Sequence, residues 1–164
     1  MVTLLPFDPT LHIRLLEAWL HQPHVRAHWG DPAVNLATVL VIQSPAGCAL
    51  IAADELPVGF VQWQPIGAAE LLEGGVTVPD DDTIDIDIFI GEATYLGRGI
   101  APAALRLLRQ QLAETGAAKR LSLFTSFENE RALRAYQKAG FQMRSQYLDG
   151  EDGWATVLLM EIRA

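Results

Sequence analysis

The sequence predicts a mixed α/β (α+β) fold in a single domain spanning residues 1–164, and three observations carry that prediction. A length of 164 residues is enough to bury one core and too short for two. Half of the residues are apolar and a fifth are charged, the balance of a globular chain rather than a disordered one. Strand-like and helix-like segments alternate irregularly, so a mostly antiparallel mixed sheet flanked by helices is expected and a doubly wound parallel sheet is not.

Thr3 to Phe7 reads as a short strand closed by Pro6, Asp8 and Pro9. Thr10 opens a helix with Leu11, Leu15, Ala18 and Trp19 at helical spacing, stopping near Gln22 and Pro23. His24 to Asp31 reads as a polar-aromatic connection, followed by a helix over Ala33 to Gln43. Cys48 to Ala53 and Val58 to Gln64 form a predicted hairpin joined by Asp54-Glu55-Leu56-Pro57. Ile66 to Asp82 is an acidic, Gly-containing excursion with room for one helical turn at Ala68 to Leu72.

Thr83 to Ile90 is the clearest strand. Its period of two places Ile84, Ile86, Ile88 and Ile90 on one face, with Asp85, Asp87 and Phe89 on the other. Ile100 to Thr115 is an Ala- and Leu-rich helix ended by Gly116. Leu121 to Thr125 is a strand, and Glu128 to Ala139 a helix ended by Gly140. Phe141 to Leu148 and Trp154 to Ile162 complete the chain as a hairpin around Asp149-Gly150-Glu151-Asp152-Gly153.

Composition narrows the function classes. The net charge of −8 disfavours nucleic acid and anionic membranes as partners. The longest apolar stretches, such as Leu36 to Ile42, fall well short of the ~20 residues of a membrane helix. Cys48 stands alone, which fits a reducing compartment and leaves no Cys-rich metal site. The start, Met1 to Pro6, has no basic n-region, so no signal peptide is expected and the reading is cytoplasmic. The charge is also unevenly spread. Residues 27–97 hold eleven acids and no Lys or Arg, whereas residues 98–164 hold ten bases and seven acids. Such a split suits a protein that meets a cation with one half and an anion with the other.

Two segments carry chemistry. Leu96-Gly97-Arg98-Gly99-Ile100-Ala101-Pro102 lies between a strand and a helix. Two glycines let the backbone pass close to a bulky anion, and the free N–H groups at the helix start offer it hydrogen bonds. Arg98 adds a formal charge, and Pro102 suits the first helical turn. The loop lacks the Gly-Lys-Ser/Thr ending of a P-loop and the three glycines of a dinucleotide fingerprint. Further on, Asn129 opens a helix on which Tyr136 lies two turns later on the same face. Ala132, between them, is small enough to let a ligand lie alongside.

Together these segments resemble motifs A and B of the GNAT family of N-acetyltransferases, in the right order and at the right separation. The resemblance is strong from Ile84 to Phe141 and looser over the rest of the chain. It implies a splayed sheet and acetyl-CoA as co-substrate, with no metal. The strand backbone at Phe89, Ile90 and Gly91 would hold the pantetheine arm and thioester carbonyl. The amides of Gly97, Arg98, Gly99, Ile100 and Ala101 would wrap the pyrophosphate. Asn129 would bond the pantetheine arm with Ala132 beside it, and Tyr136 would sit near the thioester sulfur as general acid. The family usually has Gln or Arg where this chain has Leu96, which removes a side chain from the cradle but not its backbone.

On the acceptor side, Asp85 and Asp87 are expected to attract a protonated amine, with Asp87 also a candidate to take its proton. Glu70, Glu73, Asp80, Asp81 and Asp82 would widen the negative funnel. A closer resemblance, carried by Pro23 to Gly30, Pro57-Val58-Gly59-Phe60, Leu96 to Gly99 and Asn129 to Phe141, is to aminoglycoside 6′-N-acetyltransferases and siderophore-biosynthesis acyltransferases. It implies a substrate-binding role for Asp87 and an aromatic at the acceptor pocket in Trp29. Those drug-modifying enzymes carry a further Asp where this chain has Phe124, a difference that argues for a smaller or less cationic acceptor, or another base. His24 and His28 are candidates for that base, and either Gln62 or Trp63 faces the cleft. The expected activity is acetyl-CoA-dependent N-acetylation of a small, cationic, aminoglycoside-like amine by a monomer or homodimer. A siderophore-precursor acyltransferase and a non-catalytic acyl-CoA-binding module are the alternatives.

Overall fold

The computed structural model describes residues 1–42, 46–150 and 153–162. Among these residues seven strands form one sheet in the order β1-β2-β3-β4-β5-β7-β6. They are β1 (Val2–Pro6), β2 (Gly47–Ala53), β3 (Leu56–Ile66), β4 (Thr83–Ile90), β5 (Arg120–Ser126), β6 (Gln142–Leu148) and β7 (Trp154–Glu161). Every neighbouring pair is antiparallel except β4 with β5, which is parallel. The expected mixed, mostly antiparallel sheet is therefore present.

Among the described residues six α-helices flank the sheet: α1 (Pro9–Leu20), α2 (Pro23–Trp29), α3 (Pro32–Leu40), α4 (Ala68–Glu73), α5 (Ile100–Thr115) and α6 (Glu130–Ala139). The alternation of β4 decides which core each side chain joins. Ile84, Ile86, Ile88 and Ile90 pack with Leu105 and Leu108 of α5 and with Tyr136 of α6. Phe89, on the other face, packs with Trp19 and Leu16 of α1 and Phe60 of β3. Beneath α4 a smaller core joins Leu71 to Val157 and Leu159 of β7.

The main departure from the sequence reading is α2, which was expected to be an irregular connection. Pro23 at its first position and Gly30 after it bound only seven residues, of which Val25 alone is fully buried. A helix that buries one residue carries no periodic apolar signal. The third helix stops at Leu40, and Gln43 lies outside the described residues, as do Glu151 and Asp152 of the last turn. The predicted four-residue hairpin connection shortens to Asp54 and Glu55, both at positive φ (48° and 73°), because Leu56 and Pro57 already pair with β2. Among the described residues no helix is long and apolar enough to cross a membrane.

Candidate active site

The site begins where the sheet opens. Parallel pairing of β4 with β5 covers only Thr83–Asp85 against Arg120–Ser122. Below it, Arg120 is nearly buried, donates from Nε to Thr83 Oγ1 at 3.2 Å and pairs with Asp80. Lys119 reaches Asp80 at 3.2 Å and Asp82 at 2.9 Å. Beyond Asp85 and Ser122 the strands separate, and a cleft of about 1030 Å³ lies between them.

Hydrogen-bond parity fixes which β4 groups face the cleft. The Gly91 N–H donates to Val58 O of β3 at 2.8 Å, while Ile90 O accepts from His24 Nε2 at 2.8 Å on the opposite side. Backbone groups of a strand alternate in direction. Phe89 and Gly91 therefore turn theirs to β3, and Ile88 and Ile90 turn theirs to the cleft. Of the three backbone positions expected to hold the pantetheine arm, only Ile90 has this aspect, and Ile88 joins it. Gly91 has a packing role instead, since a Cβ there would stand 2.1 Å from Trp19 Cγ.

The loop before α5 turns through Gly97 and Gly99, at φ 72° and 74°. A Cβ on either would meet nothing within 4 Å, so glycine is required by conformation and the outer face of the loop is open. No side chain caps the α5 N-terminus at Gly99. Leu96 and Ala101 line the cleft directly, whereas Gly97, Arg98, Gly99 and Ile100 lie past its edge. Ile100 is buried in the core beneath, and the Arg98 guanidinium stacks 5.0 Å over the Tyr95 ring.

Helix α6 forms the opposite wall. Asn129 is its N-cap, with Oδ1 accepting from Ala132 N–H at 3.3 Å, which leaves the Asn129 amide hydrogens for the cleft. Ala132 and Tyr136 line the same wall. Burial, then the charges of Asp87 and Asp85, push the Tyr136 hydroxyl above its ordinary range, so it stays protonated at neutral pH. Asp87 lines the cleft from β4. Burial raises its carboxyl, partly opposed by Gln62 Nε2 donating to Oδ2 at 3.3 Å.

The two aspartates occupy different spaces. Asp85 accepts from Ser122 Oγ at 2.7 Å and faces a second cavity of about 460 Å³ with Glu70, Glu73 and Asp149. Burial, Asp87 and Glu70 push its carboxyl up to about 7, against the Ser122 bond. The expected funnel is thus smaller than the sequence suggested. Asp80 and Asp82 are engaged by Lys119 and Arg120, and Asp81 accepts from Ala68 N–H at 2.7 Å.

Trp29 lines the cleft edge-on to Phe89, with ring centroids 4.8 Å apart. Phe124 borders both cavities and meets Tyr147 edge to face at 6.4 Å. His24 and His28 also line the cleft, but a carbonyl partner requires His24 Nε2 to carry its hydrogen, which removes that nitrogen as a base. Of the pair Gln62 and Trp63, Gln62 faces the cleft, while Trp63 packs on the isoleucine side. Tyr147 and Trp154 were missed. Their signal was the final hairpin, whose placement beside β5 brings both to the cleft mouth.

Residues 8–147 match the model of the acetyltransferase (GNAT) domain. The chain belongs to the GNAT family. Curated relatives include aminoglycoside N(6′)-acetyltransferase type 1 of Klebsiella pneumoniae and of Serratia marcescens, each 25% identical over 161 residues, 93% of this chain and 79% of the relative. Among solved structures, aminoglycoside acetyltransferase AAC(6′)-Ib in complex with coenzyme A superposes with a TM-score of 0.78 at 25% identity, covering 98% of this chain and 95% of that one. The aminoglycoside N(6′)-acetyltransferase of Legionella pneumophila, 19% identical, shares the fold with a TM-score of 0.76 over 98% of this chain and 92% of its own.

This GNAT protein is an acetyl-CoA-dependent N-acetyltransferase, and its cleft fits that co-substrate. The Ile88 and Ile90 N–H groups and the Ile88 carbonyl, which no neighbouring strand takes, offer donors and an acceptor to an extended amide-containing arm, while the Ile90 carbonyl is held by His24. The open glycine loop and uncapped start of α5 offer N–H groups and positive potential to phosphates.

Proposed function

We propose that this enzyme acetylates the primary amine of a cationic, aminoglycoside-like small molecule, with Asp87 receiving the amine and Tyr136 as general acid. The observation that carries this reading is their placement on opposite walls of one cleft, close enough for the Asp87 charge to raise the Tyr136 hydroxyl. The curated relatives named for aminoglycoside acetylation support the choice of acceptor.

Acetyl-CoA supplies the acetyl group as an activated thioester. Asp87 attracts the ammonium form of the acceptor and accepts one of its protons, passing it to solvent. The freed lone pair then forms the C–N bond to the acetyl carbonyl carbon as the C–S bond breaks. The Ile88 or Ile90 N–H is aimed where negative charge develops on the carbonyl oxygen. Tyr136, held protonated, gives its proton to the departing sulfur and is reprotonated as the new amide loses its extra proton. Amide and thiol are the products. The raised carboxyl of Asp87 makes it a stronger base than an exposed Asp, and the cleft holds both reactants in one orientation. Leu96, Gly97, Arg98, Gly99, Ile100, Ala101, Asn129 and Ala132 bind the co-substrate. Trp29 packs against the acceptor, and Asp85 contributes field from the adjoining cavity.

The test is thiol release from acetyl-CoA in the presence of aminoglycosides, polyamines and neutral amines. Cationic amino sugars are expected to stimulate release, and Asp87→Asn to raise KM for them about tenfold while sparing neutral amines. Equal effects on both classes would make Asp87 structural.

A further inference from the structure

Gln62 Oε1 is a buried side-chain oxygen with no hydrogen-bond partner among the described residues. It sits on β3 directly across from Asp87 of β4, to which its Nε2 donates at 3.3 Å. The amide cannot turn over without loss, because Oε1 would then oppose a carboxylate oxygen with no hydrogen between them. Asp87 therefore fixes the orientation of Gln62 and leaves Oε1 unsatisfied. An unpaired buried acceptor is costly, and Gln62 belongs to the cleft wall. The terminal torsion of a Gln side chain is soft, so a small turn presents Oε1 to the cleft while Nε2 stays near Asp87.

We infer that Gln62 is a specificity-determining residue, whose Oε1 and Asp87 receive the two N–H bonds of a primary amine. The inference rests on reading Asp87 as the acceptor-facing carboxylate. A neutral primary amine has two N–H bonds and one lone pair. Holding both N–H bonds fixes the direction of the lone pair, which is the group that must attack. An N-methyl amine has one N–H and leaves one of the two oxygens unpaired. A site built to hydrogen-bond a group rejects the analogue that lacks it far more strongly than an apolar pocket rejects a missing methylene.

The experiment compares two acceptors, identical except for a primary or an N-methyl amine, in the wild type and in Gln62→Met, which keeps length and removes both polar atoms. Acetyl-CoA affinity, measured by thermal shift, reports whether the variant is folded with an intact co-substrate site. Gln62→Met removes the Asp87 bond for both acceptors, so the readout is the ratio: kcat/KM is expected to fall about tenfold further for the primary amine than for the N-methyl amine. Gln62→Asn, too short to span the gap, is expected to behave like Gln62→Met. An equal loss on both acceptors, or no loss on either, overturns the role of Gln62 while leaving the proposed function standing. A loss of acetyl-CoA affinity also overturns it, because Gln62 would then be structural. Silence of the wild type with every amine overturns the functional reading and this inference together.

Discussion

The two ends of the β4–β5 seam differ in how they satisfy their polar groups. At the lower end the ladder runs through Thr83–Asp85, and Arg120, Lys119 and Ser122 tie this end to Asp80, Asp82 and Asp85. At the upper end the same strands part, and Ile88 and Ile90 carry backbone groups that no neighbouring strand takes. The closed end satisfies its polar groups within the chain, and the open end leaves backbone groups free for the proposed chemistry. Substitutions at the two ends should therefore be read out by different measurements, kinetics and binding at the open end and pH-dependent stability at the closed one.

The largest expected effect lies at the open end. Tyr136→Phe removes the proposed proton donor and keeps the ring, so kcat should fall ~10²–10⁴-fold with acetyl-CoA affinity kept. Steady-state kinetics with a calorimetric binding measurement checks this, and full activity would remove Tyr136 as general acid.

At the closed end, burial and the neighbouring Asp87 push the Asp85 carboxyl up to about 7 from the ordinary 3.8 of an aspartate. Its contribution to stability is fully present below 3.8 and is lost as pH rises through about 7. Asp85→Asn escapes that loss and can still accept from Ser122. Relative to the wild type it should gain about 3 kcal/mol between pH 5 and pH 8, read by thermal denaturation at both pH values. A difference that does not change with pH would place Asp85 in contact with solvent in a way its burial does not suggest.

The smallest effect tests the glycine loop. Gly97→Ala meets empty space but a strained φ of 72°, which costs about 1–2 kcal/mol. A methyl on the open face should also weaken acetyl-CoA binding, and a titration showing unchanged affinity would move the phosphates elsewhere.

Much of this was legible in the sequence, and the parts that were not share a cause. The alternation of β4, the glycine loop and the two-turn spacing of Asn129 and Tyr136 are local patterns, and the structure keeps them all. What local pattern cannot give is which neighbour a group faces. The parity of Phe89, Ile90 and Gly91 depends on register with Val58. The choice between Gln62 and Trp63 depends on the same pairing. Asp85 and Asp87 share a strand face two residues apart, yet the end of the β5 ladder divides them between two cavities. Helix α2 escaped because a seven-residue helix burying only Val25 offers no period to detect.

The parting of β4 from β5 also makes each strand an internal sheet edge. Unpaired edges invite pairing with another chain, and proteins usually blunt or cover them. Here the cover on the β4 side is partial: His24 occupies the Ile90 carbonyl, and α6 stands across the gap. A bound co-substrate arm running along β4 would act as a surrogate strand, completing hydrogen bonds that the polypeptide leaves open. Such a ligand favours the folded state by mass action, so the same gap that admits the reactant makes the loaded enzyme the more durable form.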